Sequence, residues 1–135
     1  MRAVVDPGVL VSAARSPGGP PAQLGKAVRA GRVVLVVSPR LRTELETVLR
    51  RKQIVARLDP AALDRVRRVV AQAPVVEDPP AAAVSRDPTD DDLLALAQIV
   101  AADCVISGDR DLTSLVGVEP SVLSPAAALA RLVER

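Results

Sequence analysis

Three stretches of this 135-residue chain are short, aliphatic and closed by a polar or turn-forming residue: Ala3–Asp6, Val33–Val37 and Asp103–Ser107. A strand with one wet face alternates apolar and polar positions, whereas a strand covered on both faces does not. These runs therefore predict buried strands of a parallel sheet. Pro74–Glu77 and Ser121–Leu123 are weaker strand candidates. Between the runs the apolar positions recur at helical spacing. Helices are expected over Gly8–Ala14, Ala22–Ala30 and Pro39 to about Arg51, the last with Leu41, Leu45, Val48 and Leu49 on one stripe. Asp59 as N-cap and Pro60 at the first helical position open another, carrying Leu63, Val66 and Val70. Asp90–Ala102 and Pro125–Val133 complete the set, and Pro79–Pro88, rich in Pro and Ala, reads as a loop. Strands alternating with helices predict a single α/β domain over residues 1–135: a three-layer, Rossmann-like fold with a mostly parallel central sheet flanked by helices.

Composition narrows the chemistry. The chain has no Phe, Tyr, Trp or His, and only one Cys, Cys104. A structural zinc, haem or iron–sulfur centre lacks ligands, a His-dependent triad is excluded, and no aromatic platform exists for stacking single-stranded bases. No run is long and apolar enough to span a membrane, and Met1–Asp6 shows no signal-peptide anatomy, so a cytoplasmic protein with no membrane partner is expected. The net charge is only +2, but it is unevenly spread. Lys26 to Arg68 holds twelve basic residues against four acids, whereas Glu77 to Asp111 holds nine acids against two arginines. One half suits phosphates and the other gathers carboxylates, although Arg-rich helix faces also serve simply to solvate a fold.

In open α/β sheets ligands bind beyond the carboxyl ends of the strands, so acids that follow strands are the first candidates. Asp6 ends the first strand and, before Pro7, also suits an N-cap; the two roles are compatible because a carboxylate has several lone pairs. Glu44 lies at i+3 from Leu41 and i−4 from Val48, on the core-facing stripe, where an acid is costly unless paired or bound to a cation. Glu46, flanked by Arg42 and Arg50 at i±4, reads as a solvated ion-pair residue. Asp90 shares a stripe with Leu93, Leu94 and Ala97, while Asp91 and Asp92 point outward unless the helix phase is off by one. Asp109 follows the third strong strand, with Asp111 as a possible fifth acid. Asp6, Glu44, Asp90 and Asp109 repel one another without a cation. With one or two Mg²⁺ or Mn²⁺ ions they become an oxygen-ligand site suited to phosphodiester hydrolysis. Arg40, Arg50, Arg51 and Arg110 are candidate contacts to a phosphate backbone.

Four segments then resemble the PIN-domain family, in particular the small bacterial PIN proteins classed as toxins of toxin–antitoxin pairs. Val5–Ala13 is similar to the family's opening motif and Ser38–Leu49, with Glu44, to its second-acid helix. Asp87–Asp91 followed by Leu94–Ala97 matches the third motif, and Ser107–Leu112 the last, where Thr is commoner than Ser107. The resemblance implies a metal-dependent endoribonuclease, a homodimer and a small antitoxin partner. It carries the metal-site roles onto Asp6, Glu44, Asp90 and Asp109. One departure stands out: Pro7–Gly8 occupies the place of the family's usual Thr-Asn, removing a hydroxyl and a side-chain amide beside the first Asp. Loss of groups that orient metal ligands typically costs about 10–100-fold in affinity or activity. A PIN-fold module that binds RNA or protein without turnover is therefore the alternative function. A receiver-like or phosphatase chemistry fits less well, because neither Lys26 nor Lys52 follows a strong strand.

Overall fold

The computed structural model describes residues 1–76 and 88–133, without the side chains of residues 88–92. The expected loop over Pro79–Pro88 falls outside the described residues up to Pro88. Four parallel strands, β1 (Arg2–Val5), β2 (Val34–Leu35), β3 (Cys104–Ile106) and β4 (Ser121–Leu123), form one sheet in the order β2-β1-β3-β4. Around it are α1 (Pro7–Arg15), α2 (Pro20–Arg29), α3 (Pro39–Val48), α4 (Lys52–Val55), α5 (Pro60–Gln72), α6 (Pro88–Ile99), α7 (Arg110–Thr113) and α8 (Pro125–Val133). This is the three-layer α/β architecture that the alternating pattern predicts.

The central strands explain their own composition. Ala3, Val4 and Val5 of β1 and Cys104, Val105 and Ile106 of β3 are all buried, so no position could tolerate a polar side chain without a partner. Helices meet one another on one part of the sheet, α1, α2 and α5 being in mutual contact, while α6 packs on β1 and β3, and α8 on β4. Leu41, Leu45 and Leu49 form the buried stripe of α3 and its C-cap; removing the side chain of Leu45 would cost about 2–5 kcal/mol.

Proline sets where the helices begin. Asp6–Pro7, Ser38–Pro39, Asp59–Pro60 and Ser124–Pro125 each place a side-chain acceptor before a Pro at the first helical position. Their oxygens accept from the N–H groups of Gly8, Leu41, Ala62 and Ala127 respectively, each at 3.1 Å. The ring fixes φ near the helical value and lacks an N–H that would otherwise go unpaired, so the start costs little order. For this reason α1 and α2 begin at Pro7 and Pro20, earlier than the apolar pattern alone marks.

Other boundaries differ from expectation for tertiary reasons. The helix expected from Pro39 to about Arg51 stops at Val48, and a separate short α4 follows. At the break Arg51 is extended, with φ −62° and ψ 127°, and Arg67 of α5 donates from Nη2 to the Leu49 carbonyl at 3.0 Å. The five-residue strand expected over Val33–Val37 narrows to Val34–Leu35. Val37 pairs instead with the outer segment, donating to Pro74 O at 3.0 Å and accepting from Val76 N–H at 2.9 Å. The weak candidate Pro74–Glu77 thus amounts, among its described residues, to one parallel bridge at Val75. Ser121–Leu123 and Pro125–Val133 form with the bounds expected.

Candidate active site

All four strands run in parallel, so their carboxyl ends share one edge of the sheet. Val5 and Ile106 are paired in register on the two central strands, which makes Asp6 and Ser107 the next residues along. The Asp6 N–H continues the ladder by donating to Ile106 O at 2.9 Å. Its side chain is then held from two directions. Oδ1 accepts the Gly8 N–H at 3.1 Å as the cap of α1, and Oδ2 accepts the Ser107 hydroxyl at 2.8 Å.

Ser107 is the residue that sequence reasoning passed over. It is fully buried, and its Oγ also accepts the Asp109 N–H at 3.0 Å. One hydroxyl therefore joins the first acid's side chain to the last acid's backbone. Asp109 in turn caps α7, Oδ1 accepting the Asp111 N–H at 2.9 Å. A signal for Ser107 was present in the sequence: a hydroxyl follows immediately on a fully aliphatic strand, two residues before an acid.

Glu44 is half-buried on α3, as its phase on the stripe predicts, in a small cleft with Ser38, Arg40 and Leu41 and, from α6, Leu93 and Leu96. The second acid thus faces the helix that carries the third. Asp90 lies in the first turn of α6, one helical turn before Leu93; its side chain, like those of Asp91 and Asp92, lies outside the described residues. Asp111 is exposed in the first turn of α7. Glu46 bonds Arg42 Nε at 3.2 Å, the surface pair its spacing predicts.

The arginines divide. Arg110 follows Asp109 directly, and Arg40 opens α3 beside the Glu44 cleft. Arg50 and Arg51 sit past the far end of α3, and at about 1.5 Å per residue that is roughly 18 Å along the helix from Ser38. Those two are exposed but not gathered with the acids.

The donor set fits a hard divalent cation. It is made of carboxylate oxygens, and Asp6 and Asp109 are each pre-oriented by hydrogen bonds while a carboxylate offers about four lone-pair sites. Among the described residues no three acids converge closely enough to hold a metal by themselves. By residue type the candidates are Asp6, Glu44, Asp90 and Asp109, and among the described side chains Asp6 and Asp109 are the pair joined, through Ser107. At position 8, an added Cβ would meet only Asp6 Oδ1, at an ordinary 3.8 Å. Nothing steric forbids a side chain there, and the missing amide reflects the sequence rather than the space.

A three-layer α/β domain with acids at the carboxyl ends of its central parallel strands carries its polar groups where open sheets bind their ligands. The chain is a member of the PIN domain family, whose model matches residues 2–111; its members are generally nucleases, hydrolases that use divalent metal ions. PAE2754 from Pyrobaculum aerophilum is similar in fold, with a TM-score of 0.66 and 19% identity, over 100% of this chain and 91% of that one. Among curated proteins no match is found. No helix among the described residues is long and apolar enough to cross a membrane.

Proposed function

We propose that this chain is a Mg²⁺- or Mn²⁺-dependent endoribonuclease, acting as the toxin of a toxin–antitoxin pair and as a homodimer. The observation that carries the reading is the Ser107 hydroxyl, which ties Asp6 to Asp109 at the carboxyl end of the two central strands. A capping role alone needs only the bond from Gly8 N–H to Asp6; the second, partly buried bond from Ser107 fixes the other carboxylate oxygen as well. When bound, a divalent cation supplies an activated water and neutralises charge on the leaving oxygen. The protein's part is to hold and orient: Ser107 and Gly8 fix the Asp6 carboxylate, Asp111 N–H fixes that of Asp109, and Arg40 and Arg110 offer guanidinium groups to the RNA phosphates. Without aromatic side chains, selectivity rests on the shape and backbone of the RNA rather than on base stacking.

The test is cleavage of end-labelled RNA with Mn²⁺ by the wild type, Asp6→Asn and Asp90→Asn, with EDTA as control. Cleavage by the wild type alone, abolished by EDTA, supports the reading. Equal cleavage by all three proteins assigns it to a contaminant. Growth arrest on induction of the wild type, absent for both variants and relieved by co-expression of a small neighbouring reading frame, tests the toxin role.

One observation favours the alternative of a binding module without turnover. Asp6 Oδ1 receives a backbone N–H from Gly8 where the usual Thr-Asn would add side-chain donors. Salt-sensitive RNA binding by a wild type that does not cleave would establish that second reading.

A further inference from the structure

A cavity of about 240 Å³ opens where α1, α2 and α5 meet the sheet, and neither capping nor metal binding explains it. Its floor is Val5 of β1 and Leu35 of β2; its walls are Val9 and Leu10 of α1, Leu24 of α2, and Val66 of α5. These six side chains are all buried. Small residues widen the space: Ala13, Ala22, Gly25 and Ala62 line it where a bulkier chain would have closed it. The cause is compositional. A core built without Phe, Tyr or Trp fills the junction of three helices and a sheet with Val, Leu and Ala alone, and here they do not meet.

The opening differs from the interior. Lys26 and Arg29 of α2 and Arg65 of α5 line it, and all three are exposed. No Asp or Glu lines the cavity among the described residues. The result is an apolar interior under a cationic rim, which selects an occupant with an apolar body and an anionic head. Its width selects further. The helices α1, α2 and α5 pack against one another around the cavity, and its six lining aliphatics are each less than a tenth exposed, so a slim chain can reach them where a helix of ordinary 10–12 Å diameter cannot. A single alkyl chain is slim enough for a space of about 240 Å³.

We propose that this cavity is a binding site for a free aliphatic carboxylate, its chain against Val5, Leu10 and Val66 and its head between Lys26, Arg29 and Arg65. The inference does not depend on the nuclease reading, because it uses no residue of the carboxylate site.

The experiment uses the full chain and titrates octanoate, 1-octanol and acetate, following methyl chemical shifts by NMR and affinity by calorimetry. Octanoate is expected to bind saturably and to shift the methyl signals of Val9, Leu10 and Val66. It should bind about tenfold more tightly than octanol, a preference lost in Lys26→Ala/Arg29→Ala/Arg65→Ala. Acetate should not bind. Gly25→Leu tests the space: a Cβ at position 25 meets only Arg29 Nη1, at 3.8 Å, so the longer side chain enters the cavity and octanoate affinity should fall at least about tenfold. If that variant misfolds, the methyl shifts of the wild type decide. Three results overturn the proposal: no saturable octanoate binding, equal binding of octanol and octanoate, or shifts away from the cavity. Tight binding of an acidic amphipathic peptide without octanoate binding also overturns it, in favour of a protein partner.

Discussion

Replacing Ser107 with Ala isolates the hydroxyl that joins Asp6 to Asp109. The side chain is fully buried, so the variant leaves a small void and removes two hydrogen bonds, one donated to a carboxylate at 2.8 Å and one accepted from the Asp109 N–H at 3.0 Å. A hydrogen bond to a charged group contributes about 1.5–3 kcal/mol, and an orphaned buried donor costs about 1–3 kcal/mol. Asp6 is only half-buried and Asp109 is exposed, so water recovers part of both terms. A net loss of about 2 kcal/mol follows, which lowers the Tm of a chain this size by roughly 6–12 °C. Function should fall further than stability, because a freed Asp6 carboxylate no longer presents a fixed oxygen; groups that orient metal ligands are typically worth about 10–100-fold in affinity. Ser107→Thr keeps the hydroxyl and adds a methyl, so it should retain Mn²⁺ binding even if packing strain of about 1–3 kcal/mol lowers its Tm. The assay pairs far-UV circular dichroism melts with Mn²⁺ calorimetry on all three proteins. Undiminished Mn²⁺ affinity in Ser107→Ala, or equal loss in the Ala and Thr variants, would refute the orienting role.

Three further outcomes follow from the geometry. Gly8→Asn places an amide beside Asp6 Oδ1 without a clash and should raise Mn²⁺ affinity or cleavage by up to about 10–100-fold; a variant no better than wild type in calorimetry would show that Pro7 is the limiting departure. Asp59→Ala removes the cap of α5, in which Oδ2 accepts the Ala62 N–H, and should cost about 1 kcal/mol in urea unfolding with no effect on Mn²⁺ binding. Arg40→Ala/Arg110→Ala should lower the salt dependence of RNA binding by about two in log–log slope, whereas Arg50→Ala/Arg51→Ala, at the far end of α3, should change it less. Equal slopes for the two pairs would contradict the grouping of the first pair with the site.

What could be read from the sequence divides along physical lines. Strand cores and helix starts were legible because their causes are local: continuous aliphatic runs for β1 and β3, and an acceptor before proline for α1 and α5. The phase of Glu44 on its stripe agrees with its half-buried place beside Leu41, Leu93 and Leu96. Illegible were features set by distant partners. The end of α3 depends on Arg67, eighteen residues away, reaching the Leu49 carbonyl. The shortening of β2 depends on Val37 turning to Pro74 and Val76. The bridging role of Ser107 needs β1 and β3 side by side, which no spacing announces. The apolar cavity was hidden for a related reason: composition reveals that aromatics are absent, not where their volume goes unfilled.

The pairing of β1 with β3 also dictates when the molecule becomes competent. Its two central strands, and the hydrogen bond from Ser107 to Asp6, join positions 101 residues apart. At a ribosomal pace of about 5–20 residues per second, the first acid emerges many seconds before the strand that orients it. Until then β1 has only the two-residue β2 beside it, and Asp6 holds no more than its own helix cap. Through those intervening seconds the nascent chain therefore cannot join Asp6 to Ser107.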